Sequence, residues 1–121
     1  MPSHRIEQGV RAMVVGQSHL GDVLRELLET DGCFEVLANG KTWDHDEVDV
    51  VILTPEINED PFSLLDDSFR RPRVFVFGSH FPRWLQLEAR HRGIELLYSY
   101  QSWQKIRSFL LREEPTSRYE R

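Results

Sequence analysis

The stretch from residue 11 to residue 40 constrains the fold of this chain more than any other feature. It reads RAMVVGQSHLGDVLRELLETDGCFEVLANG and places an apolar run, a polar turn, an amphipathic segment and a second apolar run in immediate succession. In the amphipathic segment, apolar residues recur at helical spacing, and Gly32 is placed to close the helix. These apolar residues are Leu20, Val23, Leu24, Leu27 and Leu28. This order predicts the opening of an α/β domain.

Short apolar runs predict five strands in all. They are rich in Val, Ile and Phe and are bounded by turn formers. They lie at residues 12–15, 34–38, 50–53, 74–77 and 94–98. Strands that alternate with helices at this spacing favour parallel pairing through right-handed crossovers, and hence a sheet covered on both faces.

Proline and glycine mark the remaining helices. One is predicted over residues 61–69 and a second from Pro82 to Gly93. A third is predicted from about Ser102, with Ile106, Phe109 and Leu110 buried. Residues 40–47 are too few for a crossover helix, so we expect one helical turn or an irregular loop there.

Length and composition predict one soluble domain. We expect the 121 residues to form a single domain over residues 11–112, between a flexible start at 1–10 and a flexible tail at 113–121. The net charge of −5 argues against direct nucleic-acid binding. No apolar run suits a signal peptide or a membrane span, and the single Cys33 suits a reducing compartment, so a cytoplasmic location is expected.

Two stretches carry a family resemblance. VVGQSHLGDVLRELLETDGCFEVLANG resembles the start of bacterial response-regulator receiver domains, and VDVVILTPE resembles their third strand. The spacing of 15 positions from Gly78 to Gly93 also matches that of receivers, and the likeness covers about residues 11–111. It implies a flavodoxin-like, receiver-like three-layer sandwich. The implied sheet has five parallel strands in the order 2-1-3-4-5, with a shortened or missing second helix.

The residues that receivers use for phosphorylation are replaced in this chain. Receivers hold magnesium with acidic residues after the first strand and accept phosphate on an aspartate that ends the third. They also place a hydroxyl residue after the fourth strand and a lysine after the fifth. The corresponding positions here are Gly16 and Gln17, Thr54, Gly78 with Ser79 beside it, and Tyr100.

These replacements remove the chemistry of phosphoryl transfer. Magnesium is bound through hard oxygen ligands that usually include one or two carboxylates, and a glycine followed by an amide supplies none. A threonine at position 54 cannot form an acyl phosphate, and Tyr100 lacks the positive charge that pairs with a phosphoryl group. The resemblance therefore implies a degenerate pseudo-receiver in bacterial two-component signalling or transcriptional regulation. We expect it to have no enzymatic activity, cofactor or metal.

The same resemblance implies an interaction surface. Receivers use the face formed by their fourth helix, fifth strand and fifth helix to bind targets and copies of themselves. In this chain that face would carry Arg83, Trp84, Arg90, Tyr98, Tyr100, Trp103 and Arg107. Trp, Tyr and Arg dominate interface energetics, which favours a protein partner or a homodimer, although the tryptophans could instead cap the core.

Charge is segregated along the chain. From Asp44 to Asp67 there are acidic residues and neither Lys nor Arg, whereas arginines follow from Arg70 to Arg92. An acidic edge and a basic edge could orient a partner or a second copy, although charge runs are also common on plain solvated surface.

A nucleotide-binding site is the main alternative. Gly16 and Gly21 match the first and last glycines of G-x-G-x-x-G after a strand, but the middle glycine is Ser18. The second strand also ends in Ala38-Asn39-Gly40, where a dinucleotide site needs a carboxylate for the ribose. The Ser79-His80 pair lacks a nucleophile-elbow motif, and the acidic loop from Asp44 to Glu47 lacks metal-ligand spacing.

Overall fold

The computed structural model describes residues 9–37, 48–56, 60–64 and 73–111. The strands are β1 (Val10–Val15), β2 (Phe34–Leu37), β3 (Val50–Leu53), β4 (Arg73–Gly78) and β5 (Glu95–Tyr98). The helices in these ranges are α1 (His19–Thr30), a 3-10 helix (Pro61–Leu64), α2 (Arg83–Arg92) and α3 (Trp103–Leu111). All strand pairs are parallel and run in the order β2-β1-β3-β4-β5, which confirms the predicted fold class and strand order.

Helices cover both faces of the sheet because successive side chains of a strand point to opposite sides. One core cluster joins alternate strand residues, including Val14 and Ile52, to α1 and α3. The second joins the intervening residues, including Met13 and Val51, to α2 and the 3-10 helix. The buried helix residues are Leu24, Leu28, Ile106 and Leu110 in the first cluster and Phe62, Leu85 and Ala89 in the second.

Helix α1 follows the predicted periodicity with two differences. Leu24 and Leu28 are fully buried, but Val23 is 36% exposed at the border of the apolar stripe. The helix ends at Thr30, and the backbone N–H of Asp31 donates to the Leu27 carbonyl oxygen at 3.1 Å. The prediction that Gly32 closes the helix is therefore wrong, since the extended Asp31 already ends it.

Helix α2 begins and ends as predicted. Pro82 precedes it in an extended conformation, where its missing N–H costs no helical hydrogen bond. Gly93 follows with φ +75°, a left-handed conformation that suits glycine, and its N–H donates to carbonyl oxygens in the last turn. Helix α3 likewise starts just after Ser102. Its Phe109 is half-buried, whereas full burial was expected.

The helix predicted over residues 61–69 is described only at its start, where Pro61–Leu64 form a 3-10 helix. The Asp60 carboxylate accepts a hydrogen bond from the Phe62 N–H at 2.9 Å. Residues 65–72 lie outside the described ranges, as does the predicted loop at 40–47. The expected flexible ends also lie outside them, apart from Gly9 and Val10, and β1 begins at Val10, two residues before the predicted strand.

Candidate functional site

The predicted pocket residues lie at the carboxyl edge of the sheet. Thr54 directly follows β3, and its N–H donates to the carbonyl oxygen of Val15 at 2.9 Å. Beyond β5, the N–H of Ser99 donates to the carbonyl oxygen of Gly78 at 2.8 Å. Parallel pairing therefore brings the residues that follow β1, β3, β4 and β5 to one edge, where wound α/β folds bind ligands.

The side chain of Thr54 is sealed inside this edge. Thr54 is fully buried, and its hydroxyl donates to the Val15 carbonyl oxygen at 3.2 Å. Two glycines enclose it, because a Cβ atom added at either Gly16 or Gly21 would lie 2.6 Å from Thr54 Oγ1. The position that aligns with the receiver phosphoacceptor is thus occupied by a packed, hydrogen-bonded side chain.

The first turn is shaped by this packing and by the start of α1. Gly16 has φ +134°, a conformation that L side chains rarely adopt. Ser18 is the N-cap of α1, and its buried hydroxyl accepts a hydrogen bond from the Gly21 N–H at 3.2 Å. The three residues of the alternative nucleotide motif therefore all have structural roles within the fold.

Arg25 closes the turn from the helix side. Its guanidinium donates to the carbonyl oxygens of Gly16 at 2.8 Å and Val14 at 3.2 Å, and pairs with the Asp22 carboxylate at 3.0 Å. A positive charge is therefore fixed beside the end of β1. The strand-end carbonyl groups that Arg25 binds belong to the backbone, so no residue type in the sequence marks this contact.

The far side of the edge is uncharged and more open. Ser79 and Gln17 are exposed, and a Cβ atom at Gly78 would lie 3.1 Å from the Phe81 ring. Tyr100 is 74% exposed and packs its ring 5.2 Å from that of Tyr98. The side chains of Gln17, Ser79 and Tyr100 are thus an amide, a hydroxyl and a phenol.

A metal site and a membrane-spanning helix are two further possibilities for the described ranges. No group of three or more His, Cys, Asp or Glu side chains there is arranged to hold a metal ion. In the same ranges no helix has both the length and the apolar character needed to cross a bilayer.

Comparison with known proteins identifies the architecture. No protein-family model matches the sequence, and no curated protein matches it. Among solved structures, the chain is similar to the ChxR receiver domain from Chlamydia trachomatis. The TM-score is 0.53, with 84% of this chain and 94% of that chain covered. The chain has a receiver-like fold. At 15% sequence identity this likeness concerns the receiver-like architecture alone, so any chemistry must be argued from the residues themselves.

The structure divides the predicted interaction face of this receiver-like domain into two parts. Trp84 is 52% exposed on α2, and its ring packs edge-on against Phe62 with centroids 6.5 Å apart. Arg83 and Arg90 are exposed on the same helix, and half-buried Tyr98 packs 4.9 Å from Phe81, which lies just before α2. These residues belong to the side of the sheet covered by α2.

Trp103 and Arg107 lie on the other side, where α3 meets the turn between α1 and β2. Trp103 packs 6.2 Å from Phe34, and its indole N–H donates to the Asp31 carboxylate at 3.1 Å. The Arg107 Nε–H donates to the same carboxylate at 2.6 Å, and another guanidinium N–H contacts Cys33 Sγ at 2.8 Å. Trp103 thus caps the core, which is the alternative that the sequence left open for the tryptophans.

The contacts of Asp31 change its acidity. Partial burial acts to raise its pKa, but hydrogen bonds from the Cys33 N–H, the Trp103 indole and the Arg107 guanidinium outweigh burial. The pKa of Asp31 therefore lies below its ordinary value. The hydrogen bond to Asp31 in turn raises the pKa of Arg107. Asp31 is thus charged at neutral pH and holds α3 against the first half of the chain.

Proposed function

We propose that this chain is a non-phosphorylatable pseudo-receiver that works by protein contact in bacterial signalling or transcriptional regulation. The observation that carries the proposal is the sealed position of Thr54. A phosphoryl donor must reach its acceptor in line, and Thr54 is fully buried between Gly16 and Gly21 with its hydroxyl already bonded. Even an oxygen nucleophile at this position lacks a path to the donor.

The surroundings of Thr54 support the same proposal. Phosphoryl transfer needs magnesium to neutralise the developing charge, and magnesium sites of proteins use carboxylate oxygens. Gly16 and Gln17 supply none, and the guanidinium of Arg25 bonded to the Gly16 carbonyl oxygen opposes a second cation there. Tyr100 is exposed, and its phenol cannot pair with a phosphoryl group as the ammonium of a lysine does.

The same contacts argue against the nucleotide-binding alternative. In a dinucleotide site the second glycine lets the pyrophosphate approach the backbone. Here that position is Ser18, which is buried and caps α1, while Gly21 packs against Thr54. We therefore place the function on the protein surface, with a protein partner or a second copy as the ligand and the cytoplasm as the location.

The proposal is tested by exposing the whole chain to a small phosphoryl donor. The protein is incubated with acetyl phosphate and magnesium, and its intact mass is compared with that of an untreated sample. We expect no mass increase, and no change in sedimentation velocity. A parallel sample with NAD should show an unchanged unfolding temperature. Addition of a phosphoryl group would contradict the proposal, and saturable stabilisation by NAD would favour the nucleotide-binding alternative.

A further inference from the structure

The outer surface of α2 carries a leucine where a helix is normally polar. Leu85 and Ala89 are buried and define the core-facing side of the helix. At about 100° per residue, Leu87 falls on the opposite side, and it is 53% exposed. An amphipathic surface helix normally carries polar residues at such a position. Packing within the described residues therefore does not explain Leu87.

Leu87 is surrounded by a tryptophan, two arginines and a histidine. The residues three and four positions away on either side are Arg83, Trp84, Arg90 and His91, and all four are exposed. Together with Leu87 they form a continuous surface, the α2 ridge. Among the described residues, neither Arg83 nor Arg90 has an ion-pair partner. The α2 ridge therefore has an apolar centre bordered by arginines that have no ion-pair partner among the described residues.

A stabilising effect on α2 itself explains only one of the two arginines of the ridge. A cation in the last turn of a helix, such as Arg90, interacts favourably with the helix dipole. Arg83 lies in the first turn, where a cation is unfavourable and an acidic residue would be expected, yet that turn has no acidic residue. Its position is better explained by an external negative charge than by the helix itself.

One side of the ridge packs against Phe62 of the 3-10 helix. The Trp84 ring is fixed edge-on against Phe62, and the Arg92 guanidinium lies 4.7 Å from the centroid of the same Phe62 ring. Arg92 also pairs with Glu88 at 2.7 Å, so the only acidic residue of α2 is already used. The exposed half of Trp84 can therefore be covered with little further ordering of the helix.

These observations indicate the chemistry of the ligand. We propose that the α2 ridge binds an acidic amphipathic helix of a partner protein, whose apolar stripe covers Leu87 and Trp84 while its carboxylates pair with Arg83 and Arg90. The inference rests on the proposed interaction function and names its partner class. A nucleic acid is a poorer fit, because the centre of the ridge is apolar and the chain carries a net charge of −5.

The test uses two synthetic peptides that differ in the sign of their charge. One carries a leucine stripe bordered by glutamates, and the other carries the same stripe bordered by lysines. Each is labelled and titrated with the full chain, and binding is followed by fluorescence anisotropy. We expect saturable, salt-sensitive binding of the glutamate peptide only. Leu87→Asp and Arg90→Glu should each weaken it by about tenfold or more.

The variants and controls separate the possible outcomes. Gln104→Asp changes an exposed residue of α3 and should leave peptide binding unchanged. Both ridge variants replace exposed side chains, so their unfolding midpoints should stay near that of the parent. Equal binding of both peptides, binding of neither, or competition by duplex DNA would overturn the proposal. The proposal would also be overturned if the parent chain failed to bind the glutamate peptide and Leu87→Asp disrupted a homodimer. That result would assign the ridge to a second copy of the chain. If the glutamate peptide fails and acetyl phosphate still leaves the mass unchanged, this inference alone is refuted.

Discussion

Because Gly21 packs against Thr54, we predict that Gly21→Ala lowers the stability of the protein, which is opposite to the usual effect of this substitution in a helix. Replacing a helical glycine by alanine ordinarily stabilises a protein by up to about 1 kcal/mol, because it lowers the backbone entropy of the unfolded chain. Gly21 lies in α1 without a left-handed backbone, so no strain opposes alanine there. Its new Cβ, however, would lie 2.6 Å from Thr54 Oγ1, and Thr54 is fully buried.

The two effects can be weighed against each other. Overpacking a dense core costs about 1–3 kcal/mol, so Gly21→Ala should lower the free energy of unfolding by up to about 2 kcal/mol. In a Thr54→Ala background the clashing oxygen is gone, and the nearest remaining atom is the Cβ at 3.3 Å. There the same substitution should be neutral or stabilising by up to about 1 kcal/mol. The coupling energy between the sites is then about 1–3 kcal/mol.

The assay is urea unfolding of the parent, both single variants and the double variant, followed by circular dichroism. The coupling energy is obtained from the four free energies of unfolding. Gly32→Ala serves as the matched control, because a Cβ atom there meets nothing within 4 Å, and it should change stability by less than about 0.5 kcal/mol. Equal effects of Gly21→Ala in both backgrounds would refute the sealed arrangement and remove the main support for the proposed function.

Two further predictions concern charged groups. Asp31 has a lowered pKa in the folded state, so its contribution to stability is present above its unfolded pKa of about 3.9 and is lost as pH falls through the lower folded value. Asp31→Asn should therefore be less stable than the parent at neutral pH and should lose less stability as the pH is lowered. Urea midpoints measured across pH test this, and an identical loss of stability in acid for both proteins would contradict the role of Asp31. Arg25→Met removes donors from the carbonyl oxygens of Val14 and Gly16 and should cost about 1–3 kcal/mol in the free energy of unfolding, whereas an unchanged midpoint would mean that water replaces the guanidinium.

Local features of the fold were predictable from the sequence because they depend on neighbours along the chain. The helical spacing of Leu24 and Leu28, and the extended Pro82 and left-handed Gly93 around α2, follow from side-chain periodicity and backbone preference. The alternation of strands and helices indicated parallel pairing, and the resemblance to receivers supplied the strand order that the structure has. The uncharged character of Gly16, Thr54 and Tyr100 could likewise be read directly, since it is a matter of residue type.

The tertiary structure alone decided what these residues contact. The Thr54 side chain could have faced an open pocket, and only the approach of Gly16 and Gly21 shows that it is enclosed. Arg25 binds the end of β1, and Arg107 binds Asp31, 76 positions earlier in the chain; neither contact could be read from the sequence. Periodicity tells which side of a helix faces the core but not which distant group a long side chain reaches. That depends on how the elements pack in three dimensions, and hydrogen bonds between residues far apart in sequence have no local signature.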